Sequence, residues 1–382
     1  MRIGIDVRLL KVRRGIGNYV HELLYGIAHA GSDHEYILYA DSRQVTAEIP
    51  AALRSSLVVV EPDFYPYWEQ LALPARVCRD RIDLLHCTAN TAPIYLSKSI
   101  GLVVTIHDIM FLLPERLVPR PTSPFQKLQR VYYRRLVPPS ARRADMIITD
   151  SNASRSDIVD RLPGVNPAHV KCVYLAPGRA FQRILESDVR CRLRNEISQH
   201  GPIVLGLGAA DPRKNTAGLL EAFAIFISRI KGSATLLLVG LDSRAQKAVA
   251  LRAERLAIGD RIIQYGFLPE SRLVELYNLA DMFVYPTMYE GFGFPVLEAM
   301  ACGTPVIASA VSAIPEIAAD AAIMVDPRDG EEIASKMQRV AEDATLRDDM
   351  RARGLLRVAE LSWHKAASET ITVYEDALQE RS

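Results

Sequence analysis

Short apolar runs alternate with amphipathic segments along the 382 residues of the chain. Continuous apolar runs of this kind are typical of strands that are buried on both faces of a parallel sheet. The runs predict strands at Arg2–Val7, Tyr36–Ala40, Leu57–Val60, Leu84–Cys87, Leu102–His107, Met146–Thr149, Ile203–Leu207, Thr235–Val239, Ile262–Phe267, Met282–Tyr285, Val306–Ala308 and Ala322–Val325. Between them, apolar residues at helical spacing predict helices at Gly17–Ala30, Thr216–Ile230, Arg244–Ala257 and Ser271–Leu279. The alternation predicts an α/β fold with helices on both faces of parallel sheets.

The alternation stops once, between Val173 and about residue 200, where polar and basic residues replace it. We therefore predict two Rossmann-like, doubly wound domains at residues 1–180 and 181–360, each large enough for its own core. A last helix, Trp363–Leu378, is predicted within the remaining residues 361–382. Because ligands bind at the carboxyl ends of the strands in such domains, we expect the two domains to face each other across a ligand-binding cleft.

The net charge is +1, but the charges are unevenly distributed along the chain. Residues 1–180 contain 23 Lys/Arg against 17 Asp/Glu, and the remainder contains 23 against 28, which favours an anionic partner for the first half. Five cysteines without CxxC spacing predict reduced core thiols of a cytoplasmic protein. No apolar run reaches 18 residues and a strand begins at the N-terminus, so we expect neither a spanning helix nor a signal peptide.

The most informative stretch reads YEGFGFPVLEAMACGTP and begins at residue 289. Glu290 and Glu298 lie eight positions apart in it, with Gly291 and Gly293 between them and Pro295 where a helix would begin. A helix N-terminus approached through glycines favours an anion, and flanking carboxylates accept hydrogen bonds from hydroxyl groups. The stretch therefore predicts a pocket for a nucleotide sugar. The alternative is a strand–loop–helix junction with two solvated glutamates.

Three further segments follow strand ends and carry candidate chemistry. Gly15 and Gly17 lie in a basic loop that opens a helix, although a tight turn is the alternative and the spacing matches neither a dinucleotide nor a P-loop fingerprint. Lys214, in the string PRKN, can neutralise a diphosphate unless it is a solvated surface lysine. His107, followed by Asp108, can donate to a sugar hydroxyl or a developing charge, unless it belongs to a structural His–Asp pair.

These strings resemble glycosyltransferase family 4, whose members are retaining enzymes of the GT-B fold. The family pattern of two glutamates separated by seven residues, within F-G-x-P-x-x-E-A-M-A-x-G-x-P-V-I-A-S, matches at nearly every position, and PRKN, TIHD and the S-x-x-S turn of Ser151 and Ser154 also match. We expect at least one of these serines to cap a helix. The resemblance implies that the last helix returns to the first domain.

The resemblance also implies roles for residues in the donor site. Glu298 would accept from the ribose hydroxyls and Glu290 from the sugar hydroxyls, while Lys214 would contact the diphosphate. The loop residues that would face the sugar and phosphate are Gly291, Phe292, Gly293, Phe294 and Pro295.

On the same basis, Gly15 and Gly17 would lie against the donor pyrophosphate and the acceptor, and the acceptor would pass near His107 and Asp108. Tyr265 and Phe267 are predicted to line the base. The chain departs from the family at Ala209, where many members carry an arginine, and Arg213 is the candidate to replace it.

The resemblance implies a hexosyltransferase that retains anomeric configuration, with mannose or a related sugar from GDP-mannose or a similar GDP-sugar as donor. UDP-glucose or a UDP-hexosamine is the alternative donor. A nucleotide-sugar epimerase, a sucrose-phosphate type synthase or a non-catalytic nucleotide-sugar-binding scaffold are alternatives of other classes. We expect no cofactor and no metal, because the chain has no Asp-x-Asp pair and no His/Cys cluster at ligand spacing.

A basic stretch, Arg116–Arg143, contains eight Lys/Arg residues with Phe125, Leu128, Tyr132 and Leu136 interleaved. This pattern predicts contact with an anionic membrane surface, and hence a peripheral location on the inner face of the cell membrane. A solvated helix packed on its own domain is the alternative. The acceptor is then expected to be a polyprenyl-linked oligosaccharide or lipopolysaccharide. Nucleic-acid binding is not expected, because no recognition motif is present.

Overall fold

The computed structural model describes residues 1–12, 15–114, 124–185, 187–197 and 201–381. These residues form two compact units. The first contains Met1–Leu112, residues 124–176 and the chain from Leu361 onward, and the second contains Leu113, Pro114 and Pro177–Glu360.

The first unit is built on a seven-stranded sheet in the order β3-β2-β1-β4-β5-β6-β7, with every pair parallel. Its strands are β1 (Arg2–Asp6), β2 (Glu35–Ala40), β3 (Ser55–Val59), β4 (Leu84–Cys87), β5 (Gly101–Thr105), β6 (Met146–Thr149) and β7 (Val170–Cys172). The helices before residue 176 are α1 (Ile16–His29), α2 (Tyr65–Tyr67, the π-helical Trp68–Ala72 and Leu73–Asp80), α3 (Pro124–Arg143) and α4 (Asn152–Arg161).

The second unit is built on a six-stranded parallel sheet in the order β10-β9-β8-β11-β12-β13. Its strands are β8 (Ile203–Leu207), β9 (Thr235–Val239), β10 (Ile262–Gln264), β11 (Met282–Tyr285), β12 (Val306–Ser309) and β13 (Ala322–Val325). Its helices are α5 (Ser187–Ile197), α6 (Thr216–Arg229), α7 (Ser243–Arg255), α8 (Glu270–Leu279), α9 (Phe294–Ala301), α10 (Ile314–Ala318), α11 (Gly330–Glu342) and α12 (Ala344–Ala359).

The last helix, α13 (Trp363–Gln379), packs on the first unit, as the resemblance implied. Gly26 of α1 meets it closely, because a Cβ at residue 26 would lie 2.4 Å from the carbonyl oxygen of Trp363. His86 of β4 and Tyr374 of α13 are both buried and hydrogen-bonded at 2.8 Å. The helix therefore completes the core of the first unit.

Three predicted features are wrong in detail. The strand predicted at Ile262–Phe267 ends at Gln264. The stretch in which the alternation was expected to stop contains α5, and a short strand, β7, lies just before it. Cys78 is exposed and Cys172 is half-buried, so they are not core thiols, whereas Cys87 and Cys302 are buried. The side chain of Cys191 lies outside the part of the chain that the structure describes.

Candidate active site

The candidate site of the second unit lies where its strand order reverses. In the sheet, β8 lies between β9 and β11. The chain continues from β8 to β9 on one side and from β11 to β12 on the other, so the loops that leave β8 and β11 diverge to opposite faces. The loop after β8 carries Lys214, and the loop after β11 carries Glu290. Crevices at such switch points are the usual ligand sites of doubly wound sheets.

Lys214 and Glu290, which are 76 residues apart, form the centre of this site. Lys214 Nζ lies 2.8 Å from Glu290 Oε1 and also contacts the hydroxyl of Tyr285. The hydroxyls of Tyr285 and Thr287 donate to the same carboxylate oxygen at 2.8 and 2.9 Å. The Glu290 amide donates to Ser312 Oγ at 2.8 Å, which fixes the loop. Lys214, the residue predicted to contact the diphosphate, and Glu290, the residue predicted to accept from sugar hydroxyls, therefore form an ion pair with each other.

The two glutamates of the motif have different electrostatic surroundings. Burial alone would raise the pKa of Glu290, but the Lys214 ammonium and the hydrogen bonds lower it below its ordinary value. Glu298, in α9, is partly buried and receives one hydrogen bond, from Tyr277 at 3.2 Å. Burial raises the pKa of Glu298 to about 7. Near neutral pH, Glu290 is therefore a carboxylate, whereas Glu298 is protonated in part of the molecules.

The loop between the two glutamates is shaped by its glycines. Gly293 has φ +121° directly before α9, a conformation that side chains rarely adopt. Pro295 lies in the first turn of the helix, as predicted. Phe292 is buried with its ring 5.0 Å from that of Phe294, and Gly291 is buried beside it. The chain therefore turns at Gly293 directly into the N-terminus of α9.

Other predicted donor residues lie around this centre. Arg213 faces the carboxylate of Asp211, with Nη2 2.6 Å and Nε 3.0 Å from Oδ2. Whether Arg213 replaces the arginine absent at Ala209 therefore stays a prediction, and the replacement would compete with this ion pair. Tyr265 is half-buried beyond β10, and Phe267 is 63% exposed.

In the first unit, His107 follows β5 and is fixed at both ring nitrogens. Nδ1 lies 2.6 Å from Asp150 Oδ2, and Nε2 lies 3.1 Å from the carbonyl oxygen of Thr88. Because both partners are acceptors, both nitrogens carry protons. Burial lowers the pKa of His107, but the Asp150 carboxylate outweighs it and the pKa is raised. Asp108 instead accepts from the Met110 amide at 2.9 Å.

Sequence reasoning missed Asp150 as the partner of His107. A signal was available, because Asp150 directly follows β6, which is the neighbour of β5 in the sheet. Ser151 caps α4 by accepting from the Ser154 amide at 3.0 Å, and Ser154 Oγ donates to the carbonyl of His107 at 2.9 Å. The prediction of a capping serine is confirmed.

The glycine loop before α1 is partly described. Gly15 has φ +51° and a Cβ there would meet nothing within 4 Å, whereas a Cβ at Gly17 would lie 1.7 Å from the carbonyl oxygen of Val12. Gly17 is therefore required by close packing. Arg13 and Arg14 lie outside the described residues.

A second buried charged cluster, also missed, follows β1 at the switch point of the first sheet. The Arg8 guanidinium lies 3.5 Å from the ring centroid of Tyr65, and the Arg8 amide donates to Asp6 at 3.0 Å. Burial raises the pKa of Asp6 to about 6. Glu69 is buried and accepts hydrogen bonds from the hydroxyls of Tyr65 and Thr91, both at 2.5 Å.

Within the described residues, no group of three or more His, Cys, Asp or Glu side chains is arranged to hold a metal ion. In the same part of the chain, every helix is too short or too polar to cross a membrane.

The two doubly wound parallel sheets, each with charged and polar side chains beyond its strand ends, have the architecture of glycosyltransferases of the GT-B fold. The model of "Glycosyltransferase Family 4" matches residues 13–176, and that of "Glycosyl transferases group 1" matches residues 192–357. The chain is 32% identical over 278 residues to the O-antigen chain mannosyltransferase B of Escherichia coli, covering 72% of this chain and 70% of that protein. The chain therefore belongs to glycosyltransferase family 4, and the predicted family, fold and enzyme class are confirmed.

Solved structures agree on the fold. The sucrose-phosphate synthase of Thermosynechococcus elongatus matches with a TM-score of 0.76 and 20% identity over 100% of both chains. The HepE protein of Anabaena, crystallised with UDP, matches with a TM-score of 0.71 and 18% identity over 98% of this chain and 99% of that one.

Proposed function

We propose that this protein is a retaining hexosyltransferase that moves mannose or a related hexose from a GDP-sugar onto a lipid-linked oligosaccharide or lipopolysaccharide acceptor. The observation that carries the proposal is the pairing of Lys214 with Glu290 at the switch point of the second sheet, within a chain related to an O-antigen mannosyltransferase. Such a site suits a ligand that has both a diphosphate and hydroxyl groups.

The donor is proposed to bind through groups of opposite charge. The ammonium of Lys214 has three N–H donors and contacts Glu290 and Tyr285, so one donor is left for a phosphate oxygen. Amides at the N-terminus of α9 would add to this contact. Glu290, held as a carboxylate, would accept from sugar hydroxyls, and Glu298 would accept from ribose hydroxyls after losing its proton.

The proposed reaction retains configuration by attack on the same face of the sugar. The bond between the anomeric carbon and the donor phosphate oxygen breaks, the bond to the acceptor oxygen forms, and the departing phosphate takes the acceptor's proton. Lys214 would neutralise the charge that develops on the phosphate, so we propose that no metal or cofactor is needed.

His107 is proposed to act on the acceptor side of the reaction as a fixed positive charge. Both of its ring N–H groups are engaged, with Asp150 and with the Thr88 carbonyl, so proton transfer is not assigned to it. Gly15 and Gly17 remain proposed contacts on the same side.

Thermal stabilisation of the protein by nucleotides and nucleotide sugars in EDTA tests the donor. At about 100 times its Kd, a ligand stabilises the fold by roughly 2.7 kcal/mol. We expect GDP and GDP-mannose to shift the melting temperature. Lys214→Met should weaken their binding by roughly 10- to 100-fold, the range for a hydrogen bond to a charged group. The control is Lys231→Met, at an exposed lysine of the same unit.

A shift with UDP-sugars alone would contradict the GDP donor and favour a glucosyl- or hexosaminyltransferase, the alternative that the HepE complex with UDP supports. Stabilisation without any transfer of sugar to a lipid-linked acceptor would favour the scaffold alternative. NMR of the product's anomeric proton tests retention, because an inverted product excludes same-face attack.

A further inference from the structure

Exposed large hydrophobic side chains concentrate in one part of the first unit. Twelve such side chains are found among the described residues, and six of them belong to three segments: the first half of α2 with the residue before it, the loop after β4, and the first half of α3. The six are Phe64, Tyr67, Leu71, Tyr95, Leu128 and Val131. We name these six, together with Lys127, Arg134 and Arg135, the apolar–basic surface.

The three segments are in direct contact with one another. The ring of Tyr65 in α2 lies 5.3 Å from that of Tyr132 in α3. Gln70 joins α2 to the loop, since its side-chain amide donates to the Ala92 carbonyl at 3.1 Å and accepts from the Ile94 amide at 3.0 Å. The exposed side chains therefore belong to one continuous region of the unit.

Each of the two helices has one face buried in the unit and another face exposed to solvent. At α2, Phe64 directly before the helix and Tyr67 and Leu71 within it are exposed, while Trp68 and Glu69 are buried. In α3, Leu128 and Val131 are exposed, whereas Tyr132 donates its hydroxyl to Glu69 and so faces inward. The apolar stripe predicted through Tyr132 is thus wrong at that residue. Among the described residues, each helix nevertheless leaves apolar side chains exposed to solvent.

The charge of α3 is of one sign, whereas the exposed Asp63 directly precedes Phe64 at the start of α2. α3 carries Lys127, Arg130, Arg134, Arg135, Arg142 and Arg143 and no Asp or Glu. Lys127, Arg134 and Arg135 are exposed and flank Leu128 and Val131. The carboxylate of α2, Glu69, is buried under its donors and contributes little opposing charge at the surface. Glu115, Arg116, Arg120 and the side chain of Phe125, which the sequence added to this region, lie outside the described residues.

We propose that the apolar–basic surface docks the enzyme on an anionic lipid bilayer, with its apolar side chains in the headgroup region and its basic side chains on the lipid phosphates. Aromatic and aliphatic side chains beside the basic side chains of α3 fit this partner, because apolar groups enter the headgroup region while basic groups contact anionic lipid phosphates. The inference rests on the proposed function, in which the acceptor is anchored in the membrane.

Flotation of the full chain with vesicles tests the proposal without any measurement of activity. Two vesicle types are compared, phosphatidylcholine alone and phosphatidylcholine mixed in equal parts with phosphatidylglycerol. We expect binding to the anionic vesicles, weakening with salt as a screened interaction does. The double variant Leu71→Ser, Leu128→Ser should bind roughly tenfold more weakly, and Arg135→Gln roughly fivefold more weakly, on anionic vesicles only.

The matched control is Leu251→Ser, Leu356→Ser, which changes two leucines of the second unit that are at least as exposed as Leu71. Binding unchanged in the first double variant, or equally weakened in the control, overturns the proposal. Equal binding to neutral and anionic vesicles would show that the basic side chains do not contribute to binding. If the protein instead binds no vesicles but self-associates, and the double variant reduces that self-association, the surface would be assigned to a second copy of the chain. Donor-induced thermal shifts are measured in the same variants and should not change, so failure of the donor assignment and failure of this surface are distinguishable.

Discussion

The ionised carboxylate of Glu298 is expected to make the protein less stable above about pH 7 than a neutral side chain at this position would. Burial raises the pKa of its carboxyl to about 7 from an ordinary 4.5, so the folded chain holds this proton more tightly than the unfolded chain does. The contribution to stability is therefore complete below about pH 4.5, and it falls as the pH rises through about 7. Glu298→Gln removes the titration and keeps the shape of the side chain.

The size of the effect follows from the width of this pH window. Each pH unit within it changes the free energy of unfolding by at most about 1.4 kcal/mol, which gives about 3 kcal/mol as an upper limit. Because Glu298 is partly exposed, solvent screening reduces this to about 2 kcal/mol. For a unit of this size, that corresponds to roughly 4–8 °C in melting temperature.

The assay is calorimetric melting of both proteins at pH 5 and pH 8. We expect Glu298→Gln to melt higher than the wild type at pH 8, with a much smaller difference at pH 5. Glu290→Gln is the control with the opposite sign. The pKa of Glu290 is lowered by Lys214, so its charge stabilises the fold above about pH 4.5, and this variant should melt lower at both pH values. A Glu298→Gln protein that melts lower at pH 8, or differs equally at both pH values, would refute the reasoning.

Two further predictions concern the first unit. Asp150→Asn removes the carboxylate that raises the pKa of His107, so burial should then take that pKa below its ordinary 6.5; NMR titration of the imidazole checks this, and an unchanged titration contradicts it. Gly26→Ala forces a Cβ against the Trp363 carbonyl and should cost about 1–3 kcal/mol in denaturant unfolding. Gly259→Ala, where a Cβ meets nothing within 4 Å, should be near neutral, and an equal loss in both variants would count against the α13 contact.

Central strands were the most predictable elements of the fold. Leu84–Cys87 and Met282–Tyr285 have the predicted bounds, because strands covered on both faces are written as unbroken apolar runs. The missed β7 and the overextended β10 are both edge strands of three residues. An edge strand needs fewer apolar side chains, as Lys171 in β7 illustrates, so its signal is weak.

For the site, the sequence identified residues within motifs but not their long-range partners. Glu290 and Lys214 were each recognisable from adjacent residues, yet their ion pair joins positions 76 apart. From the sequence, no role was assigned to Asp150 or to Arg8. Their positions depend on strand order and on the depth of burial, which no local pattern encodes.

The return of α13 to the first unit has a consequence for biosynthesis. Ribosomes make the chain from the N-terminus, so the residues that cover Gly26 and bond to His86 are made only after the whole of the second unit, Pro177–Glu360. The unit that begins first is therefore completed last. Until Trp363 and Tyr374 have left the ribosome, the nascent first unit exposes the apolar face of α1, and this interval is when it most needs protection by chaperones.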